Sequence, residues 1–134
     1  MTIRIVADTH ALLWYLYNDP RLSNSASSLM DEIEQAGEQI AIASITLAEI
    51  VYLVEKGRIR ALAFDRIVAV LEQAQTTLVE IPFERTIAIA MRRIDRSQVP
   101  DLPDRIVTAT ALHLGVPLIS RDRKIRSSIV TTIW

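Results

Sequence analysis

The sequence contains no cysteine, which excludes disulfide scaffolds, thiol nucleophiles and cysteine-based zinc sites. It has only three glycines, so a glycine-rich phosphate loop or dinucleotide-binding fingerprint is absent as well. The longest apolar stretch, residues 40–48, is interrupted by Ser44 and Thr46 and is far too short to span a bilayer. The acidic Asp8 lies where a signal peptide would be apolar, so we expect a cytoplasmic protein with no membrane partner.

The residues that are present suffice for one hydrophobic core. Half of the chain is hydrophobic and the mean hydropathy is +0.24, so residues 1–134 are expected to form a single domain with apolar surface left for a partner. The net charge of −1 excludes a strongly basic nucleic-acid arm. Thirteen of the fifteen cations are arginine, which suits bidentate contact with phosphate or carboxylate, although ordinary surface charge explains them equally simply.

Short apolar segments alternate with helical patterns along the whole chain. We predict strands over residues 3–7, 40–44, 77–81, 116–120 and 129–133, and helices over 11–17, 25–36, 47–56, 62–74, 85–96 and 105–114. Strands that are apolar throughout and separated by helices indicate a three-layer α/β domain, with a mainly parallel central sheet flanked by helices. In such sheets the functional site lies at the carboxyl ends of the strands.

Acidic residues occur at those strand ends. Asp8 and Asp122 each follow a predicted strand, Glu49 lies one helical turn after another, and Asp104 opens a helix. Each has a structural explanation: the three aspartates could be helix N-caps, and Thr46 with Glu49 fits a capping box. Parallel strands nevertheless bring their carboxyl ends to one edge, so the four acids are expected to share a pocket.

Four carboxylates in one pocket repel each other unless a cation lies between them. Magnesium, or manganese as a substitute, prefers such hard oxygen ligands and keeps several waters. An oxygen-only site with open positions is what metal-assisted phosphodiester hydrolysis requires. The residues therefore favour a metal-dependent hydrolase.

Four motifs in order carry a resemblance to a known family. Residues 8–14 (DTHALLW), 44–49 (SITLAE), 101–111 (DLPDRIVTATA) and 118–122 (LISRD) resemble the PIN-domain ribonucleases, and more narrowly the VapC-type toxins of type II toxin–antitoxin systems. The resemblance extends from the first predicted strand to the last.

The resemblance implies roles for the acids. Asp8, Glu49, Asp104 and Asp122 would be the catalytic quartet that holds Mg²⁺, with Asp8 and Asp104 as the most direct ligands. The implied reaction is cleavage of single-stranded or structured RNA by a metal-activated water, leaving a 5′-phosphate and a 3′-hydroxyl.

Further residues follow from the same resemblance. Thr9 and Ser120 would hydrogen-bond and orient the neighbouring carboxylates. Arg105 and Arg121 are expected to contact flanking RNA phosphates, with surface ion pairs as the alternative.

The resemblance also implies protein partners, namely a cognate antitoxin and a second copy in a homodimer. The segment 47–54 is apolar nearly all round, so we expect it to be buried on more than one side. It could receive those partners, or it could simply be buried within the monomer.

Other classes of protein fit the sequence less well than a ribonuclease. A PIN scaffold without activity that only binds RNA or protein is the main alternative, and the intact quartet argues against it. A metal-free enzyme using His10 and His113 is disfavoured, because His113 lies where a cation complements a helix end. A phosphoacceptor receiver domain is disfavoured, because the acids of this sequence do not lie where that class of protein needs them. Trp14, close to two tyrosines, could stack on RNA bases or belong to the core.

Overall fold

The computed structural model describes residues 2–126 and 128–134, in which strands and helices alternate. The strands are β1 (Ile3–Ala7), β2 (Gln39–Ala43), β3 (Leu78–Ile81), β4 (Leu118–Ile119) and β5 (Thr132–Ile133). The helices are α1 (Thr9–Leu16), α2 (Asn24–Gln35), α3 (Ser44–Glu55), α4 (Ala61–Leu71), α5 (Arg85–Met91), α6 (Leu102–Leu114) and α7 (Arg123–Arg126). No helix among the described residues is both long enough and apolar enough to cross a membrane.

The five strands form one sheet in the order β3-β2-β1-β4-β5, and every pair is parallel. This confirms the predicted α/β class. The chain runs from β1 outward through β2 to β3, and then returns to the other side of β1 for β4 and β5. The strand order therefore reverses between β1 and β4, where Val6 pairs with Leu118 and Ala7 with Ile119. A crevice is expected outside the carboxyl ends of these two strands.

Side chains of β1 point alternately to the two faces of the sheet and so join two separate cores. Ile5 and Ala7 belong to a cluster formed with α1–α4, whereas Val6 belongs to a cluster formed with α5–α7. The central strands are buried on both faces: Ala41 and Ile42 of β2 point to opposite faces and are both at 0% exposure. This burial explains why their sequences read as continuous apolar runs rather than as alternating ones.

Helix α3 begins earlier than its sequence pattern indicates. It starts at Ser44, directly after β2, and the residue before it, Ala43, makes no side-chain cap. Thr46 therefore lies inside the first turn with its side chain buried, so the capping-box interpretation of Thr46 and Glu49 is wrong. The backbone passes from strand to helix without a loop, and this direct transition brings Glu49 back toward the sheet edge.

The expectation that segment 47–54 is buried on more than one side is also wrong for the single chain. Val51 is 39% exposed and Tyr52 is 61% exposed, while Ile50 on the opposite side is fully buried. An apolar helix face of this kind is unusual on an isolated domain and is typical of a surface that meets a partner.

Helix α5 ends at Met91, before the predicted end at residue 96. The following amides donate to carbonyls three residues earlier, as Arg92 does to Ile89 and Ile94 does to Met91. The Arg105 guanidinium donates to the carbonyls of Met91 and Ile94. These carbonyl oxygens at the end of the helix thereby gain a hydrogen-bond donor.

Some predicted boundaries near the C-terminus also differ. The strands β4 and β5 have two residues each, and α7 has no counterpart among the predicted helices. The end of α6 agrees with prediction: Gly115 follows it with φ +68°, a left-handed conformation that favours glycine.

Candidate active site

A pocket of about 400 Å³ opens at the carboxyl ends of β1 and β4. All four acids predicted from the sequence line it. The full lining comprises Asp8, Thr9, His10, Trp14, Arg21, Glu49, Asp104, Val107, Arg121 and Asp122. The structure thus brings together side chains from β1–α1, α3, α6 and the β4–α7 connection.

Asp8 joins β1 to α1 at the centre of the sheet edge. Its amide donates to the Ile119 carbonyl of β4 at 3.1 Å, and its Oδ1 accepts from the Ala11 amide at 2.9 Å. Asp8 is therefore the N-cap of α1 while also lining the pocket. Burial raises the pKa of its carboxyl, and a hydrogen bond from the Ser120 side chain acts in the opposite direction.

Glu49 reaches the pocket from the second turn of α3. Its Oε1 accepts a 2.6 Å hydrogen bond from the hydroxyl of Thr9, which is buried. The Thr9 hydroxyl also lies 3.1 Å from that of Thr46. Because a hydroxyl carries one proton, Thr46 is left to donate to Thr9 in a chain that ends on the carboxylate. Burial raises the pKa of Glu49, and the Thr9 bond lowers it.

Asp104 lies in the first turn of α6. It is not the N-cap, because the Asp101 carboxylate accepts from the Asp104 amide at 3.1 Å and so caps the helix itself. Burial raises the pKa of Asp104, the charges of Asp101, Asp122 and Glu49 act in the same direction, and the combined effect brings it to about 7. Asp101 was overlooked as a contributor to the site; its spacing of three residues before Asp104, with a proline between them, is a recognisable cap signal.

Asp122 follows β4 and opens α7. Its amide donates to the Ser120 hydroxyl at 3.1 Å, and its Oδ1 accepts from the Lys124 amide at 2.8 Å. Ser120 is fully buried and contacts both neighbouring acids, since its side chain also hydrogen-bonds Asp8. Asp122 therefore caps the start of α7, as the sequence suggests, and also lines the pocket.

The four acids of the pocket are not paired with its cations. No ion pair among the described residues involves Asp8, Glu49, Asp104 or Asp122. The charge of Asp122 raises the pKa of Asp8, and the charge of Asp8 raises that of Glu49. Within residues 2–126 and 128–134, no three acidic or histidine side chains already enclose a point that could hold a metal ion.

One wall of the pocket consists of an aromatic ring and two basic side chains, those of Trp14, Arg21 and Arg121. The guanidinium carbons of Arg21 and Arg121 lie 5.0 and 4.7 Å from the centre of the Trp14 ring. Of these three, only Arg121 was among the predicted site residues. The sequence around Trp14 is equally typical of a core aromatic residue, and Trp14 does belong to the core. The sequence around Arg21 contains no motif that indicates a functional site.

Arg105 does not line this pocket. Its Nη2 donates to the carbonyls of Met91 and Ile94 at 2.9 and 3.2 Å, and its Nε is buried without a partner among the described residues. The structure gives Arg105 a role in joining α6 to the end of α5, in place of the predicted phosphate contact.

The two histidines lie apart. His10 lines the pocket, whereas His113 is exposed in the last turn of α6. Asp104 and His113 are separated by nine residues of one helix, which corresponds to about 14 Å along its axis. A direct proton relay between the two imidazoles is therefore not available in this fold.

Residues 5–127 match the PIN domain family. The chain belongs to that family. This PIN domain is 28% identical over 123 residues to Ribonuclease VapC22 of Mycobacterium tuberculosis, and the match covers 92% of this chain and 90% of that protein.

Solved structures show the same fold. VapBC2 from Rickettsia felis bound to a promoter DNA fragment gives a TM-score of 0.72 at 17% identity, with 98% of each chain covered. A toxin–antitoxin complex from Klebsiella pneumoniae gives 0.69 at 24% identity, covering 97% of this PIN domain and 96% of that chain. DNA-bound VapBC from Salmonella typhimurium gives 0.68 at 19% identity, covering 98% of both chains.

Proposed function

We propose that this PIN domain is a magnesium-dependent endoribonuclease that cleaves single-stranded RNA and acts as the toxin of a toxin–antitoxin pair. The observation that carries the proposal is the convergence of four unpaired carboxylates in one pocket at the strand-order switch point. Burial, followed by the charges of neighbouring acids, raises the pKa of Asp104 to about 7, as expected for a carboxylate crowded with others and no cation between them. The similarity to a protein named as a ribonuclease supports the reaction class.

The donor set fits a hard divalent cation. Mg²⁺ commonly takes one or two protein carboxylates, several waters and the substrate phosphate, so a ready cage of three side chains is not required. Asp8 and Asp104 would be its direct ligands, with Glu49 and Asp122 acting directly or through water. When bound, the ion would supply a hydroxide at neutral pH and neutralise charge on the scissile phosphate.

The protein's own residues hold these carboxylates in place. Thr9 fixes one oxygen of Glu49, and Ser120 contacts Asp8 while accepting from the amide of Asp122. The N-terminus of α1 keeps Asp8 hydrogen-bonded at Oδ1. The contacts to their carboxylates reduce the rotamer freedom of Asp8 and Glu49 before substrate arrives, and such positioning favours phosphodiester hydrolysis.

The proposed partners are a cognate antitoxin and a second copy of the chain. Val51 and Tyr52 expose an apolar face on α3, and the neighbouring α4 adds Leu62 at 56% exposure. Similar folds occur in toxin–antitoxin complexes. An apolar surface of this kind suits a docked antitoxin segment or a homodimer contact.

A cleavage assay with matched variants tests the reaction. Labelled single-stranded RNA is incubated with the unaltered protein, Asp8→Asn, Asp104→Asn and the control Asp95→Asn, each with magnesium or with EDTA. Asp95 is exposed and its carboxylate binds Ser97 outside the pocket, so it matches the chemical change without touching the site. We expect cleavage in magnesium by the unaltered protein and the control, and at least a 100-fold loss in both pocket variants.

The main alternative is a PIN scaffold without activity that only binds RNA or protein. Magnesium binding without cleavage of any RNA would support it. Equal activity in all four proteins would show that Asp8 and Asp104 are not needed for cleavage and would contradict the proposal.

A further inference from the structure

The indole of Trp14 lies at the centre of an aromatic and cationic cluster on the pocket wall. The side chain is only 7% exposed and packs edge-on against Trp134, with ring centres 5.9 Å apart. The ring of His10 lies 5.5 Å away. Trp14 is therefore a fixed surface, too buried to stack on a base itself, against which other side chains are placed.

The two arginines at this indole differ in whether a carboxylate is paired with them. Arg21 is bound to Asp19 by two bonds, from Nε to Oδ1 at 3.1 Å and from Nη2 to Oδ2 at 2.8 Å. The turn is fixed further, because the Asp19 amide donates to the Trp14 carbonyl at 2.8 Å. The charge of Arg21 is thus already neutralised, and one edge of its guanidinium is occupied.

Arg121 has no such partner. It directly precedes Asp122 and lines a pocket with four carboxylates, yet no carboxylate among the described residues forms an ion pair with it. Its guanidinium carbon instead lies over the Trp14 ring, 4.7 Å from the ring centre. A cation–π contact is made by the charge of the group, and the guanidinium has five N–H donors that can bind an anion.

We propose that Arg121, positioned by Trp14, is the phosphate-binding subsite that holds the RNA backbone next to the carboxylate quartet, and that Arg21 is not. This rests on the proposed function and specifies how the substrate is held. The contact with Trp14 places the guanidinium on the pocket wall, where it forms no ion pair with a carboxylate of the described residues. The same contact keeps a positive charge at the pocket wall, where the phosphate beside the scissile bond must lie.

The subsite predicts a specific difference between two matched variants. Binding of a fluorescein-labelled single-stranded RNA is measured at several salt concentrations, with Asp104→Asn in every protein to prevent cleavage. Arg121→Gln is expected to weaken binding about tenfold at low salt, as for loss of a charge-assisted hydrogen bond. The slope of log Kd against log salt should fall by about 0.7, as for one phosphate contact on a single strand. Arg21→Gln is expected to change Kd by less than about twofold.

The role of Trp14 is tested by asking whether its effect on RNA binding requires Arg121. Trp14→Phe keeps a ring under the guanidinium and is expected to retain most of the binding, whereas Trp14→Leu should weaken it as Arg121→Gln does. Combining Trp14→Leu with Arg121→Gln should add no further loss, because the two residues act through one contact. Circular dichroism of each variant identifies any that fail to fold, in which case the Phe variant and the arginine pair decide the question.

Each outcome has a distinct meaning. Equal effects of Arg121→Gln and Arg21→Gln, or an unchanged salt slope in Arg121→Gln, would overturn the subsite while leaving RNA cleavage by the unaltered protein intact. Failure of the unaltered protein both to bind and to cleave RNA in magnesium would overturn the subsite and the proposed function together.

Discussion

The hydroxyl of Thr9 donates a 2.6 Å hydrogen bond to Oε1 of Glu49, which links the residue after Asp8 to an acid from a different helix. One side chain thereby ties the end of β1 to the second turn of α3. The donor side of the bond is buried, since Thr9 and Thr46 behind it are both almost inaccessible to solvent, and the Glu49 side is partly buried. Glu49 is consequently held in place before any ligand arrives.

Replacing Thr9 by valine should impair catalysis more than folding. Valine has nearly the same shape but leaves Glu49 without its donor, and loss of such an orienting contact typically lowers metal affinity or activity about 10–100-fold. We expect kcat to fall by about that factor with a small change in KM. Thr9→Ser keeps the hydroxyl and should retain most of the activity; equal rates in Thr9→Val and the unaltered protein would remove this role.

The stability of the metal-free protein should decrease as the pH rises. The pKa of Asp104 in the folded protein, about 7, lies above its ordinary value of 3.8. The folded state therefore holds a proton that the unfolded state releases, so this contribution is complete below pH 3.8 and is lost as the pH rises through about 7. Melting curves in EDTA at pH 4.5 and pH 8 measure it.

Asp104→Asn should reduce that pH dependence. In EDTA at pH 8 it is expected to raise the free energy of unfolding by about 1 kcal/mol after allowance for solvent screening, and at pH 4.5 to change it little. Asp95→Asn is the control with the opposite sign, because hydrogen bonds from Ser97 lower the pKa of Asp95. An identical pH profile for Asp104→Asn and the unaltered protein would show that Asp104 ionises normally.

Arg105→Gln separates the predicted phosphate contact from the observed structural one. Its guanidinium bonds to Met91 and Ile94 join α6 to the end of α5, and such charge-assisted bonds contribute about 1.5–3 kcal/mol each. We expect a clear fall in melting temperature with no change in the salt dependence of RNA binding. A reduced salt slope at unchanged stability would restore Arg105 as an RNA contact.

Tyr52→Glu tests the apolar face of α3. If a second copy docks there, light scattering should show the unaltered protein at twice the 15.1 kDa chain mass and the variant at the mass of one chain. Ile129→Glu makes the same change at a position 54% exposed outside α3 and α4, and should leave the mass unaltered. A dimer that persists in Tyr52→Glu places the contact elsewhere.

The fold and the positions of the four acids could be predicted because both depend on local patterns. Buried parallel strands such as β2 read as apolar runs, and residues that follow parallel strands must meet at one edge. The positions of Asp8 and Asp122 at the ends of predicted parallel strands are therefore enough to predict a shared pocket.

Other features depend on how separate segments approach one another, which spacing does not encode. The direction of the Arg105 side chain is set by the end of α5, and the pairing of Arg21 with Trp14 is set by the turn after α1. The predicted start of α3 is too late because Thr46 and Glu49 resemble a capping box, although the helix begins directly from the strand at Ser44.

The chemical ends of the RNA product test the central claim most directly. The unaltered protein is incubated with single-stranded RNA in magnesium and in EDTA, and the products are analysed by mass spectrometry. The carboxylate pocket predicts cleavage in magnesium alone, with 5′-phosphate and 3′-hydroxyl ends, because water is the nucleophile. Cleavage that persists in EDTA and leaves 2′,3′-cyclic phosphates would contradict the account and assign the chemistry to the pocket histidine, His10.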